Sequence, residues 1–166
     1  MTLQRIVLLP ILFLFFGTLQ AQYMPDSIPV KPLKHAIGAA LGLTTGYGLS
    51  YRFMPKRFGV QVAFAPTHSE YQTNISAGLT LLYTLEKTKH VNLFLYQGNH
   101  LLYRKYQYYY PFPGEFDETT FYNGLGFGFE FLFLKRMSFN LMGGYAGYEN
   151  FNSLGFTGET SLFFRF

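Results

Sequence analysis

The stretch from Phe121 to Phe133 constrains the fold more than any other part of the chain, because it alternates without a break. Phe121, Asn123, Leu125, Phe127, Phe129, Phe131 and Phe133 fall on one side of an extended strand. Tyr122, Gly124, Gly126, Gly128, Glu130 and Leu132 fall on the other. A period of two belongs to a strand and not to a helix. The kind of residue on each side narrows the choice further. In a sandwich the polar face meets bulk water and takes Lys, Glu and Thr in place of glycine. In a narrow barrel the inner face is crowded, so small residues are needed there while the large aromatics point outward.

The same division recurs along the chain. Outward and inward sets are Ile37, Ala39, Leu41 and Leu43 against Ala36, Gly38, Ala40 and Gly42, then Tyr47, Leu49, Tyr51 and Phe53 against Gly46, Gly48, Ser50 and Arg52. They continue with Phe58, Val60, Val62 and Phe64 against Gln61, Ala63 and Ala65. Next come Ile75, Ala77, Leu79, Leu81, Tyr83 and Leu85 against Ser76, Gly78, Thr80, Thr84 and Glu86. Near the end, Met137, Phe139, Leu141 and Tyr145 oppose Ser138, Asn140, Gly144 and Ala146, and Phe156, Leu162, Phe164 and Phe166 oppose Thr157, Glu159, Ser161 and Arg165. Only Val91 to Tyr103 carries apolar residues on both faces, which predicts a bulge or thicker packing there. Aromatics make up 20% of the residues and charged side chains only 13%, about half the usual share. After the N-terminus no apolar run is long enough for a membrane helix. The pattern therefore predicts an all-β, antiparallel, up-and-down transmembrane barrel of about eight strands, residues 35–166 forming its single domain.

The N-terminus reads as an export leader. Met1 to Arg5 is short and basic, Ile6 to Phe16 is apolar, and Ala21 supplies the small residue before a cut at Gln22. Residues 1–21 are thus expected to be a signal peptide and residues 22–34, with three prolines, a periplasmic arm. The absence of cysteine excludes a lipoprotein anchor and any disulfide framework. Connections at Pro55 to Arg57, Glu86 to His90 and Lys135-Arg136 are short and basic. Those at Thr67 to Thr73, Arg104 to Thr120 and Glu149 to Leu154 are longer or more acidic, and Thr44 to Gly46 reads as a tight first hairpin. Short turns on one side and long loops on the other are the asymmetry of an outer-membrane barrel.

Three features carry a family resemblance: the Ala21-Gln22 junction, the glycine-spaced, Arg-bearing segment Gly46 to Phe53, and the chain end Leu162, Phe164 and Phe166 on one face. The chain resembles the eight-stranded outer-membrane barrels, such as the membrane domain of outer membrane protein A, and the small outer membrane protein β-barrels of Bacteroidota. The resemblance implies a monomer in the bacterial outer membrane, in contact with outer-membrane lipid and lipopolysaccharide. It also implies that Leu162, Phe164 and Phe166 form the signal read by the barrel assembly machinery.

Inside the barrel, Arg52, Glu130, Glu159 and Arg165, with Gln61 and Asn140, are expected to form one charge network, since a buried charge is costly unless paired. Such a network plugs a lumen that eight strands already leave nearly full, so a structural or surface-interaction role is favoured over a narrow channel. Some barrels that this chain resembles in size modify lipid A. Here, however, His35 and His90 lie at the periplasmic rim, His68-Ser69-Glu70 are sequence neighbours that point apart, and His100 precedes no His-x-Ser pattern, so no catalysis is expected. The loop from Arg104 to Thr120 is the most distinctive segment. Tyr106, Tyr108, Tyr109 and Tyr110 offer rigid, amphipathic contact area, or else extend the fifth strand into an outer aromatic girdle. Glu115, Asp117 and Glu118 add loose carboxylates that do not define a metal site, and no cofactor is expected. The formal charge of +4 arises from the basic turns, with no basic, aromatic-interleaved face for nucleic acid.

Overall fold

The computed structural model describes residues 33–108 and 114–166. The expected leader, and all but the last two residues of the arm, lie outside the described residues. Eight strands form: β1 (His35–Leu41), β2 (Gly48–Phe53), β3 (Phe58–His68), β4 (Gln72–Lys87), β5 (Val91–Tyr108), β6 (Gly114–Phe133), β7 (Met137–Tyr148) and β8 (Ser153–Arg165). Each pairs antiparallel with its sequence neighbours, and β1 pairs with β8 from Ala36↔Arg165 to Leu41↔Thr160, closing the ring. Closure satisfies every ladder from within and leaves the ring no edge strand.

Burial follows the alternation. On β6, Phe127 and Phe129 are exposed outward while Tyr122 and Glu130 are buried inward. On β2 and β3, Ser50, Arg52, Gln61 and Ala63 are buried while Leu49, Tyr51, Val62 and Phe64 are exposed. β5 resolves its two apolar faces by thicker packing, the second of the two expected ways, and has no bulge of its own. Its even-numbered residues point inward, where Phe94 and Tyr96 pack with Leu82 and Met142 into an apolar cluster that fills the middle of the lumen. The bulge lies on the partner strand, between Thr84 and Glu86 of β4. That slip of one residue turns Glu86 outward, contrary to the inward position its sequence parity predicts.

Two connections differ from expectation. Residues 104–108 and 114–120 are strand and not loop, as the alternative reading of the tyrosines had it: β5 and β6 remain paired from Leu102↔Thr120 to Tyr108↔Gly114. Thr, Tyr and Phe are strong strand formers, and the opposite charges Arg104↔Glu118 and Lys105↔Asp117 face each other across the ladder. The first connection is not a two-strand hairpin tip either. Strand β1 stops at Leu41, β2 starts at Gly48, and the turn between them folds back into the barrel, with Thr44 and Thr45 wholly buried.

Candidate functional site

The lumen holds two separate polar clusters with the apolar cluster between them. At the end where the chain enters β1, Arg52 on β2 gives Nε and Nη2 to Gln61 Oε1 at 3.1 and 2.7 Å. Its Nη1 reaches Asn140 Oδ1 at 3.1 Å and Glu130 Oε1 at 3.4 Å. Asn92 Nδ2 donates to the other Glu130 oxygen at 2.6 Å, and the Arg52 guanidinium lies 4.4 Å from the Phe163 ring centroid. A planar, five-donor cation suits such a site, where several acceptors and an aromatic face must be served at once.

The four expected charges do not form one network. Arg165 faces a cavity of about 240 Å³ beside Lys34, Arg52 and Glu130, and no carboxylate among the described residues pairs with it. Glu159 lies in the other cluster. The pairing order explains the division. Arg52 and Arg165 flank Ala36 on neighbouring strands at one end, whereas Glu159 sits opposite Met142, six residues further along β8 toward the other end.

Glu159 is held by the inturned first connection. Its Oε2 accepts the Thr45 backbone N–H at 3.1 Å, while Oε1 accepts the Thr44 backbone N–H at 3.1 Å, the Thr157 hydroxyl at 3.2 Å and the Thr44 hydroxyl. Successive backbone N–H groups in a turn make a ready anion cradle. The turn fits because the wall beneath it has no side chains. A Cβ on Gly98 would come within 2.6 Å of the Thr44 carbonyl oxygen, one on Gly124 within 2.6 Å of Thr44 Oγ1, and one on Gly78 would strike the Thr45 carbonyl. Gly46, at φ +80, supplies the left-handed residue that lets the chain turn back out.

On the flank of this turn, His100 Nδ1 lies 2.7 Å from the Leu43 carbonyl and Nε2 lies 2.9 Å from Ser76 Oγ. A carbonyl only accepts, so Nδ1 carries the proton and Nε2 takes the Ser76 hydroxyl. By distance this is a nucleophile–base pair, with a carbonyl where a hydrolase places an orienting acid. Both side chains are wholly buried beneath the turn, Tyr47 and Tyr122. The pairing was not legible in the sequence, since Ser76 and His100 lie on different strands.

Outside the ring the β5–β6 ladder continues as a projection. Lys105 Nζ binds Glu115 at 2.7 Å on one face, and that hydrogen bond, with the carboxylate's charge, holds the ammonium pKa above its ordinary value. Glu118 lies on the other face and accepts the Thr120 hydroxyl at 3.3 Å, so the three acidic side chains divide between two faces. Tyr106 pairs with Phe116; the side chain of Tyr108, and the whole of Tyr109 and Tyr110, lie outside the described residues. β7 pairs with β6 only from Asn123 downward, and Phe121 turns its N–H and C=O toward Asn150 on that side. Strand alternation therefore points the backbone groups of Asp117 and Thr119 the same way, where no described strand pairs with them. At the chain end, Leu162 and Phe164 point outward on β8, and Phe166 exchanges backbone hydrogen bonds with His35.

Among solved structures, the N-terminal β-barrel domain of OprF from Pseudomonas aeruginosa is similar at TM-score 0.52 and 12% identity, covering 81% of this chain and 96% of that one. Neisserial surface protein A matches at TM-score 0.48 and 12% identity, over 80% and 92% of the two chains. Ail of Yersinia pestis, in complex with the heparin analogue sucrose octasulfate, matches at 0.41 and 16%, over 81% and 95%. No protein-family model matches the sequence. No curated protein matches it either. The likeness to the OprF domain is one of fold: the class is the closed, eight-stranded, antiparallel barrel found in an outer-membrane protein.

Proposed function

We propose that the chain is an integral outer-membrane barrel with a surface-interaction role, exported by its leader and inserted through its terminal aromatic strand. The observation that carries this reading is the contrast between a lumen stopped by the chain's own turn and a β5–β6 ladder that runs on beyond the ring. Phe, Leu and Val cover the outward wall, as contact with lipid tails requires. The turn on Glu159 and the cluster around Phe94 occupy the path a solute would take, which argues against a channel. The burial of Ser76 and His100 argues against lipid modification. The projecting ladder offers Tyr106 and Phe116, acidic side chains, and backbone groups at Asp117 and Thr119 to which an extended segment of a partner can add.

The test is membrane fractionation of the full chain with protease mapping of residues 104–120 on intact cells. The expected outcome is heat-modifiable migration in the outer-membrane fraction, with cleavage confined to the β5–β6 projection. A chain found in the soluble fraction, or a projection cut only after cell lysis, would overturn the reading.

A further inference from the structure

We propose that the outward wall of β5 and β6 binds an acylated lipid whose linkage region donates a hydrogen bond, through a hydroxyl or an amide N–H. The site rests on the membrane placement proposed above and adds to it a lipid chemistry. Gln97, Asn99 and Asn123 all point outward, in a stretch where the neighbouring outward residues are Leu79, Leu81, Leu101 and Leu125. Asn99 lies eight residues along β5 from Val91, roughly 20 Å up a wall tilted by about 40°. The apolar band of such a barrel is about 25 Å tall, so Asn99 and its cross-strand partner Asn123 stand near its outer rim, at the depth of lipid linkage groups, with Gln97 about 5 Å below them.

Polar groups in hydrocarbon must be hydrogen-bonded, and these three bond first to one another. Gln97 Nε2 donates to Asn99 Oδ1 and Asn99 Nδ2 to Gln97 Oε1, both at 2.9 Å. Asn123 Nδ2 donates to Asn99 Oδ1 at 2.8 Å. The second hydrogen of each amide goes to a backbone carbonyl: Leu79 for Asn99, and Gly98 for both Gln97 and Asn123. Those carbonyl contacts fix which end of each amide is nitrogen. All six donor hydrogens are thereby used. What remains is acceptor capacity: Asn123 Oδ1 accepts from no described group, and Gln97 Oε1 has a lone pair to spare.

The occupant must therefore donate. A diacyl lipid joined only by esters has acceptors at this depth and cannot match. A second copy docking by the same patch would set acceptor against acceptor. A lipid with an amide-linked or hydroxylated chain has the complementary group. Toward the membrane middle the wall carries an apolar groove of about 120 Å³ lined by Phe58, Leu81, Tyr83, Leu95 and Leu125, with Gln97 at its upper edge. An acyl tail hanging from a linkage group at the amides would lie along that groove.

The experiment uses the refolded, heat-modifiable chain in nanodiscs holding equal amounts of an N-acyl sphingosine phosphocholine and a diester phosphatidylcholine. These lipids share a headgroup and differ in linkage. Native mass spectrometry of the released barrel should show the amide lipid retained about fivefold over the diester, one hydrogen bond's worth of preference. Asn123→Leu should bring retention to parity while leaving heat-modifiability unchanged. Equal retention by the parent chain, or a preference that survives Asn123→Leu, overturns the site alone. Loss of heat-modifiable folding in the parent would instead overturn the membrane placement, and the site with it. In this cysteine-free chain, Asn99→Cys should stay monomeric under oxidation; a cross-linked dimer would assign the patch to a second copy.

Discussion

Glu130 and Glu159 are two buried carboxylates on inward faces of the same small barrel, and they are stabilised in different ways. Glu130 is paired with a cation, Arg52, and helped by Asn92. Glu159 has no cation in contact among the described residues; two backbone N–H groups and two threonine hydroxyls surround it. The first arrangement locks strands β2, β3, β5, β6 and β7 to one another through side chains. The second pins a stretch of main chain inside the lumen. A buried charge thus closes this barrel twice, once as an ion pair and once as the anchor of a turn.

The largest effect should come from breaking the ion pair on one side. Arg52→Met leaves the Glu130 carboxylate buried without its cation, and should lower the unfolding free energy in lipid vesicles by about 3–5 kcal/mol. Adding Glu130→Leu should recover most of that loss, because an apolar pair replaces an ion pair more cheaply than a lone charge is tolerated. A double variant as unstable as the single one would show that the pair itself, and not the orphaned charge, carries the stability. A smaller loss is expected at the other carboxylate. Glu159→Gln keeps one acceptor oxygen but removes the charge, costing about 1.5–3 kcal/mol. Thr45→Cys, in a chain without native cysteine, should be slow to react with an impermeant maleimide and faster when combined with Glu159→Gln. Equal rates would mean that the carboxylate does not hold the turn. The smallest effect belongs to the exposed pair on the projection. Lys105→Gln should leave the barrel's unfolding midpoint where it is, since an exposed ion pair is screened and lies outside the ring. A lowered midpoint would tie the projection to the stability of the barrel.

These differences track what could be read in advance. The sequence placed Arg52 and Glu130 on inward faces within one network of four charges, but did not say which arginine would pair with which glutamate. The neighbours Gln61 and Asn140 followed from the same parity. Phe163, which faces the Arg52 guanidinium, has inward parity as well, between outward Leu162 and Phe164. The separation of Arg165 and Glu159 from that pair was not legible, because parity gives the facing of a residue and not its height. Height depends on register, and the bulge at Thr84/Glu86 shows how one slipped residue reverses a facing.

The sequence by itself determined the strand count, the inward and outward faces, and the antiparallel order of the ring. It could do so because a period of two is a local property, and burial on one face only makes the register costly to shift. Tertiary structure alone decided two things. The glycines at 78, 98 and 124 read as the small residues of a crowded wall, yet together they seat a turn from 42–47 that comes from elsewhere in the chain. Residues 104–108 and 114–120, rich in turn-like and charged groups, pair as strands because each supplies the other's hydrogen bonds and opposite charges. The first is a contact between segments far apart in sequence that no local pattern records; the second is a hairpin whose fifth-strand half the tyrosines suggested and whose acidic half read as loop.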